Sequence, residues 1–159
     1  MRAPLMLGSL MVLGLSSLAA AQENPTVTHT APPPMAVEVR IGAVLANNTS
    51  KGCDPRLVRL QSQFTKLFPY TSYRLVKEAR QEVPWGGHVG LDIPGGRYLM
   101  VIPRSFSNDR IRMKVVLVDG HRSIVDTALS LRNGGTLLVG GPLDPEGVLI
   151  LSIGADKLE

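Results

Sequence analysis

From Val37 onward, apolar and polar residues mostly alternate with a period of two, the spacing that puts successive side chains on opposite faces of a β-strand. In Val37–Ala46, Val37, Val39 and Ile41 alternate with Glu38 and Arg40. In Arg110–Val118, Ile111, Met113, Val115 and Leu117 face one way, and Arg110, Arg112 and Lys114 the other. Further strands are predicted at Ser72–Ala79, Trp85–Ile93, Gly96–Pro103, His121–Leu131, Thr136–Val139 and Val148–Ile153. Turn residues separate them: Pro94-Gly95-Gly96, Asp119-Gly120, Asn133-Gly134-Gly135, and a connection from Gly140 to Gly147. Asp119-Gly120 reads as a two-residue hairpin turn, since both residues tolerate positive φ. Thr136–Val139 and Val148–Ile153 are apolar on both faces, which predicts a central position for the pair.

One stretch breaks the period. Asp54-Pro55 is a helix start, because Asp accepts a hydrogen bond from an unpaired N–H and Pro has none to lose. Leu57, Leu60, Phe64, Leu67 and Phe68 then recur at steps of three and four, and Pro69 ends the run. The pattern predicts a mainly β fold: an antiparallel β-sandwich or curled sheet of seven to eight strands, with one N-terminal amphipathic helix packed on it.

The first 36 residues differ in kind. Arg2, an apolar run from Leu5 to about Leu18, and Ala19-Ala20-Ala21 make residues 1–21 read as a signal peptide cleaved before Gln22. The run is shorter than the about 20 residues of a membrane span, and glycines and serines interrupt it. An uncleaved anchor is the alternative. Residues 22–36 contain four prolines and no hydrophobic period, and read as a Pro-rich spacer. Residues 37–159 are then a single β-rich domain, large enough for its own core. The expected location is the periplasm, with nothing spanning the membrane after cleavage.

Composition narrows the chemistry. The 159 residues are 44% hydrophobic, which excludes a disordered chain, and a single cysteine excludes an internal disulfide framework or a Cys-based zinc site. The net charge is +4. Loss of Arg2 with the leader makes it +3, too little for a nucleic-acid footprint but compatible with an acidic neighbour. The Asn47–Ser50 stretch contains glycosylation sequons, meaningful only in a eukaryotic secretory route.

Several segments carry a family likeness: Tyr70–Leu75, Leu91–Gly96, Asn133–Pro142 and Gly147–Leu151. With them the chain resembles small exported envelope proteins of unknown chemistry from myxobacteria and relatives, across most of residues 37–155. The resemblance implies an envelope location and, for some members, a place in trans-envelope machinery such as gliding-motility complexes. It carries no functional residues over. Gly135–Gly141 separately resembles the glycine-bounded hairpin strand of secretin channels, over a length that convergent hairpin chemistry explains.

No catalytic set is legible. Cys53 precedes the helix start, where a thiolate would be stabilised for reaction or for an intermolecular disulfide; burial as a small apolar residue is the expected alternative and the favoured one. His88 and His121 have no partners at ligand spacing, so no metal is expected. Four double glycines, at 86, 95, 134 and 140, fit turns rather than phosphate loops. Tyr70, Tyr73, Trp85 and Tyr98 are candidates for stacking on sugars or for core packing. Arg110, Arg112 and Lys114, with Arg122 across the hairpin, form a basic stripe that would dock an acidic partner or simply be solvated. The resulting expectation is a non-enzymatic periplasmic accessory or scaffold protein, without cofactor, that binds another component of an envelope machine. Its interaction residues would be Arg110, Arg112, Lys114, Arg122 and Trp85. The alternative is a carbohydrate- or peptidoglycan-binding module.

Overall fold

The computed structural model describes residues 35–159. The expected leader and all but the last two residues of the expected spacer lie outside the described residues. The first strand, β1 (Val37–Asn47), is followed by the two-residue β2 (Gly52–Cys53), a 3₁₀ segment (Pro55–Leu60), a short helix α1 (Gln61–Leu67) and β3 (Ser72–Val83). Then come β4 (Val89–Ile93), β5 (Arg97–Ser107), β6 (Arg110–Asp119), β7 (Arg122–Arg132), β8 (Thr136–Asp144) and β9 (Gly147–Lys157).

The strands form two sheets. One has five strands in the order β2-β3-β1-β9-β8, and the other is a four-stranded meander, β4-β5-β6-β7. The chain leaves the first sheet after β3 and returns to it with β8. All pairings are antiparallel except that of β2 with β3.

The main core lies between the sheets. Val37, Val39, Ile41 and Ala43 of β1, with Leu151, Ile153 and Ala155 of β9, meet Leu99, Val101, Ile111, Met113, Val115 and Leu117 of the other sheet. A second cluster lies on the opposite face of the five-stranded sheet, where Leu57 and Phe64 cover Val44, Ala46, Tyr73, Leu75, Leu138 and Ile150. The register of β1 against β3 shifts between Ala43 and Val44. β1 is buried on one face as far as Ile41 and on both from Gly42 to Ala46. Burying each large side chain stabilises the fold by about 1.5–3 kcal/mol against exposure.

Several details depart from the sequence reading: the described residues form nine strands rather than seven to eight, the short β2 being the addition, and the strand expected over Trp85–Ile93 begins only at Val89, after a turn. A continuous helix over Asp54–Phe68 does not form: six residues of 3₁₀ geometry precede seven of α-helix. The 3₁₀ turn has three residues rather than 3.6, so the apolar stripe loses phase and Leu67 ends 61% exposed. The connection from Gly140 to Gly147 is mostly strand, with β8 paired to β9 as far as Asp144 opposite Gly147. The expected central pair is divided, since β9 is central but β8 is an edge with Leu137 and Val139 exposed. Finally, the β6–β7 turn consists of Gly120 and His121, because Asp119 already pairs with Arg122, and only Gly120 takes positive φ. The two-residue turn with both residues left-handed is Asn108-Asp109, between β5 and β6, at φ 50° and 58°.

A candidate partner-binding face and edge

Two surfaces carry clustered charge. On the outer face of the five-stranded sheet, a cleft of about 440 Å³ is bordered by Arg40, Arg56 and Arg80 over a floor that includes Gly42, Ser152 and Gly154. Its cations are already matched. Arg40 pairs with Glu38 at 3.1 Å and Asp156 at 2.6 Å, Arg80 with Glu38 at 2.6 Å, and Arg56 with Asp54 at 2.9 Å. This cleft offers an anion little net attraction.

Asp54 anchors the margin of that cleft. Its carboxylate accepts from the Arg56 backbone N–H at 3.0 Å, from the Arg56 guanidinium at 3.1 and 2.9 Å, and from the Leu75 N–H at 3.3 Å. The hydrogen bond from the Arg56 side chain, then that from its backbone, lowers the Asp54 pKa to about 2. A depressed carboxylate stabilises the fold fully above its unfolded pKa, ordinarily about 3.9. That contribution is lost as pH falls through about 2. The expected result is an Asp54 carboxyl titration midpoint near 2 by NMR. Asp54→Asn should flatten the loss of stability between pH 4 and 2; a midpoint near 4 would refute the cap network.

The outer face of the four-stranded sheet is different. Arg110, Arg112 and Lys114 of β6 all point outward, as the alternation implies, while Ile111 and Met113 are buried. Arg110 donates to the Ser130 hydroxyl at 3.0 Å and the Ser130 carbonyl at 2.9 Å. Lys114 pairs with Asp126 at 3.2 Å. Arg112 makes no ion pair among the described residues. A shallow groove of about 450 Å³ runs beside these groups and brings Arg104 next to Arg112 and Lys114. Arg132 lies directly across from Arg110.

The structure therefore gathers some of the expected residues and separates others. Arg110, Arg112 and Lys114 lie together. Arg122 does not join them: it sits opposite Asp119 at the far end of β6, five residues and about 17 Å from Lys114. Arg104 and Arg132 take its place. Neither is visible in the sequence as part of the stripe, because strand register and the irregularity between Pro103 and Ser105 bring them there. Trp85 packs against the main core, on the inner side of the same sheet, so it is not part of the basic face.

The remaining candidates are dispersed. The Tyr73 ring stacks on Phe64 at 4.8 Å, and its hydroxyl donates to the carbonyls of Phe64 and Phe68. Tyr70 packs at the same cluster. Tyr98 lies on the opposite side of the sandwich, its ring covering Gly90 so closely that a β-carbon there would collide with the phenol oxygen. These rings do not share one stacking face. Cys53 is half-buried at the second cluster. Burial, then the neighbouring Asp54 charge, pushes its thiol pKa up, the reverse of an activated nucleophile. His88 and His121 are exposed, and no group of three potential metal ligands occurs among the described residues.

The two sheets part between β7 and β8, leaving an apolar cleft of about 160 Å³ lined by Val115, Leu117, Val125, Leu129, Val139 and Ile153, among others. Its only polar side chain is that of Thr127. No protein family matches the chain, and no curated protein or solved structure matches it either.

Proposed function

We propose that this chain is a non-enzymatic accessory protein of the bacterial cell envelope, exported to the periplasm, where it binds another protein through its four-stranded sheet. The observation that carries the reading is the outer face of β6, where Arg110, Arg112 and Lys114 cluster with Arg104 and Arg132 beside a shallow groove. Asp126 is the carboxylate that reaches Lys114, and Asp109 approaches Arg132 at 3.9 Å. A face with surplus guanidinium charge, standing next to exposed apolar side chains, suits a partner of acidic character. The leader-like residues 1–21 and the proline-rich residues 22–36 support export and a tethered domain. On this reading the partner belongs to motility- or secretion-type envelope machinery.

Exposed charges of this kind contribute about 0.5 kcal/mol each. Replacing Arg110, Arg112 and Lys114 together with alanine is therefore expected to weaken partner association roughly tenfold. Quantitative co-purification from crosslinked cells measures it. Unchanged recovery of the partner would remove the basic face from the function.

A further inference from the structure

We propose that the open edge of β7 accepts an extended segment of a partner protein by strand addition, and that this segment is apolar at alternate positions and acidic between them. The inference rests on the partner-binding reading and names the edge and the partner's chemistry.

The choice of edge follows from how the others are blunted. Four strands end the two sheets: β2, β8, β4 and β7. Exposed edges template pairing with other chains, and folded proteins shorten, bulge or interrupt them. β2 has only two residues, and the edge of β3 beyond it is met at Leu75 by Asp54 and Arg56 and then carries Lys77, Glu78, Arg80 and Glu82, charged side chains that discourage pairing. β4 has five, with Pro94 immediately after it. β8 breaks register between Gly140 and Leu143 and contains Pro142, which has no N–H to give. β7 has eleven residues and no proline, pairs on one side only, and is exposed throughout Arg122–Ala128; its one register shift, at Ile124, leaves Val125–Arg132 continuously paired to β6.

The chemistry of the occupant follows from what surrounds that edge. Of the nine large apolar side chains with notable exposure among the described residues, five lie on β7 and β8: Ile124, Val125, Leu137, Val139 and Leu143. Unmatched apolar surface is thus concentrated along this one margin, which marks an interaction site. A strand added about 4.8 Å beyond β7 would continue the sheet. Its inward side chains would enter the cleft beside Val125 and Leu129, which has almost no polar lining, so alternate residues must be apolar. Its outward side chains would extend the face bearing Arg110, Arg112, Lys114 and Arg132. The carboxylates on β6 and β7 are Asp119, held by Arg97 at 3.3 Å, and Asp126, held by Lys114. The intervening residues are therefore acidic.

A second copy of this chain fits less well. Antiparallel self-pairing of β7 centred on Thr127 would set Arg122 against Arg132 and join two positive faces, and like charges directly opposite each other are destabilising. Residues 22–34 of this chain contain one acid and four prolines and lack the alternation.

The probe is the peptide acetyl-Glu-Val-Glu-Val-Glu-Val-Glu-amide, compared with its Lys-for-Glu counterpart. Saturating Glu peptide should slow amide hydrogen exchange in β7 at least tenfold, leaving β8 and β4 unchanged, and the Lys peptide should not. Val125→Lys, at an exposed position, should abolish the protection while the circular dichroism spectrum is retained. The proposal is overturned by no protection at millimolar Glu peptide, by equal protection with the Lys peptide, by protection mapped to β8 or β4, or by self-association through β7 in sedimentation. Photocrosslinkers placed at Ile124 and Arg112 in cells separate the two readings. A protein captured at Arg112 but not at Ile124 refutes the edge and keeps the partner-binding face; capture at neither refutes both.

Discussion

Phe64→Ala is expected to remove about 3–5 kcal/mol of stability, read as a shift in the urea midpoint at constant slope. Phe64 is fully buried and is the only buried residue of α1. Its ring stacks on Tyr73 and fills the space over Val44, Ala46 and Ile150. Truncation leaves a cavity that neighbours on a paired sheet cannot collapse to fill. It also loosens the turn whose carbonyls receive the Tyr73 hydroxyl. The matched control is Leu67→Ala, three residues on. Leu67 is 61% exposed, so its loss should stay within about 0.5 kcal/mol. Equal costs for the two variants would mean that the helix does not dock through Phe64.

Gly147→Ala should be nearly as damaging, at about 3 kcal/mol. Gly147 opens β9 at φ 156°, and a β-carbon there would run into the carbonyl oxygen of Ala46 on the neighbouring strand. The obstacle is backbone, held by the pairing of Ala46 with Val148, so no rotamer change relieves it. Gly120→Ala is the comparison. Its φ is 59°, but nothing lies near the added carbon, so only the local left-handed cost of about 1–2 kcal/mol remains. Thermal unfolding of both variants tests the difference. A Gly147 variant no worse than the Gly120 variant would show that β1 and β9 can separate at that end.

The strands were readable where one face is buried and the other wet, as in β6, whose alternation of Arg110, Arg112 and Lys114 with Ile111 and Met113 survives intact in the fold. Reading failed where a strand's surroundings change along its length. β1 is buried on one face near Val39 and on both near Val44, a difference made by the helix and not by local composition. β8 is as apolar as its partner β9, yet only one of them is central. Apolar content states that a residue can be buried, not that anything arrives to cover it. Asn108-Asp109 carries a usable signal, since both residue types accept positive φ. At the candidate site the cations of a single strand were visible from spacing alone. Arg104 and Arg132 belong to other strands, and which residues stand side by side across strands depends on register. The gap between β7 and β8 had no sequence signature either, because it arises from how two sheets diverge.

The position of β1 has a kinetic consequence. Its partner β9 is more than a hundred residues away along the chain, with Val37 opposite Lys157 and Ala46 opposite Val148. The β9 side of β1 thus stays uncovered until β9 has been made and has found its place. Loops of that span close slowly, and topologies built from such distant pairings mature in roughly milliseconds to seconds. A growing polypeptide can join β1 to β3 early, so the side of β1 that meets β9 is the last to be covered.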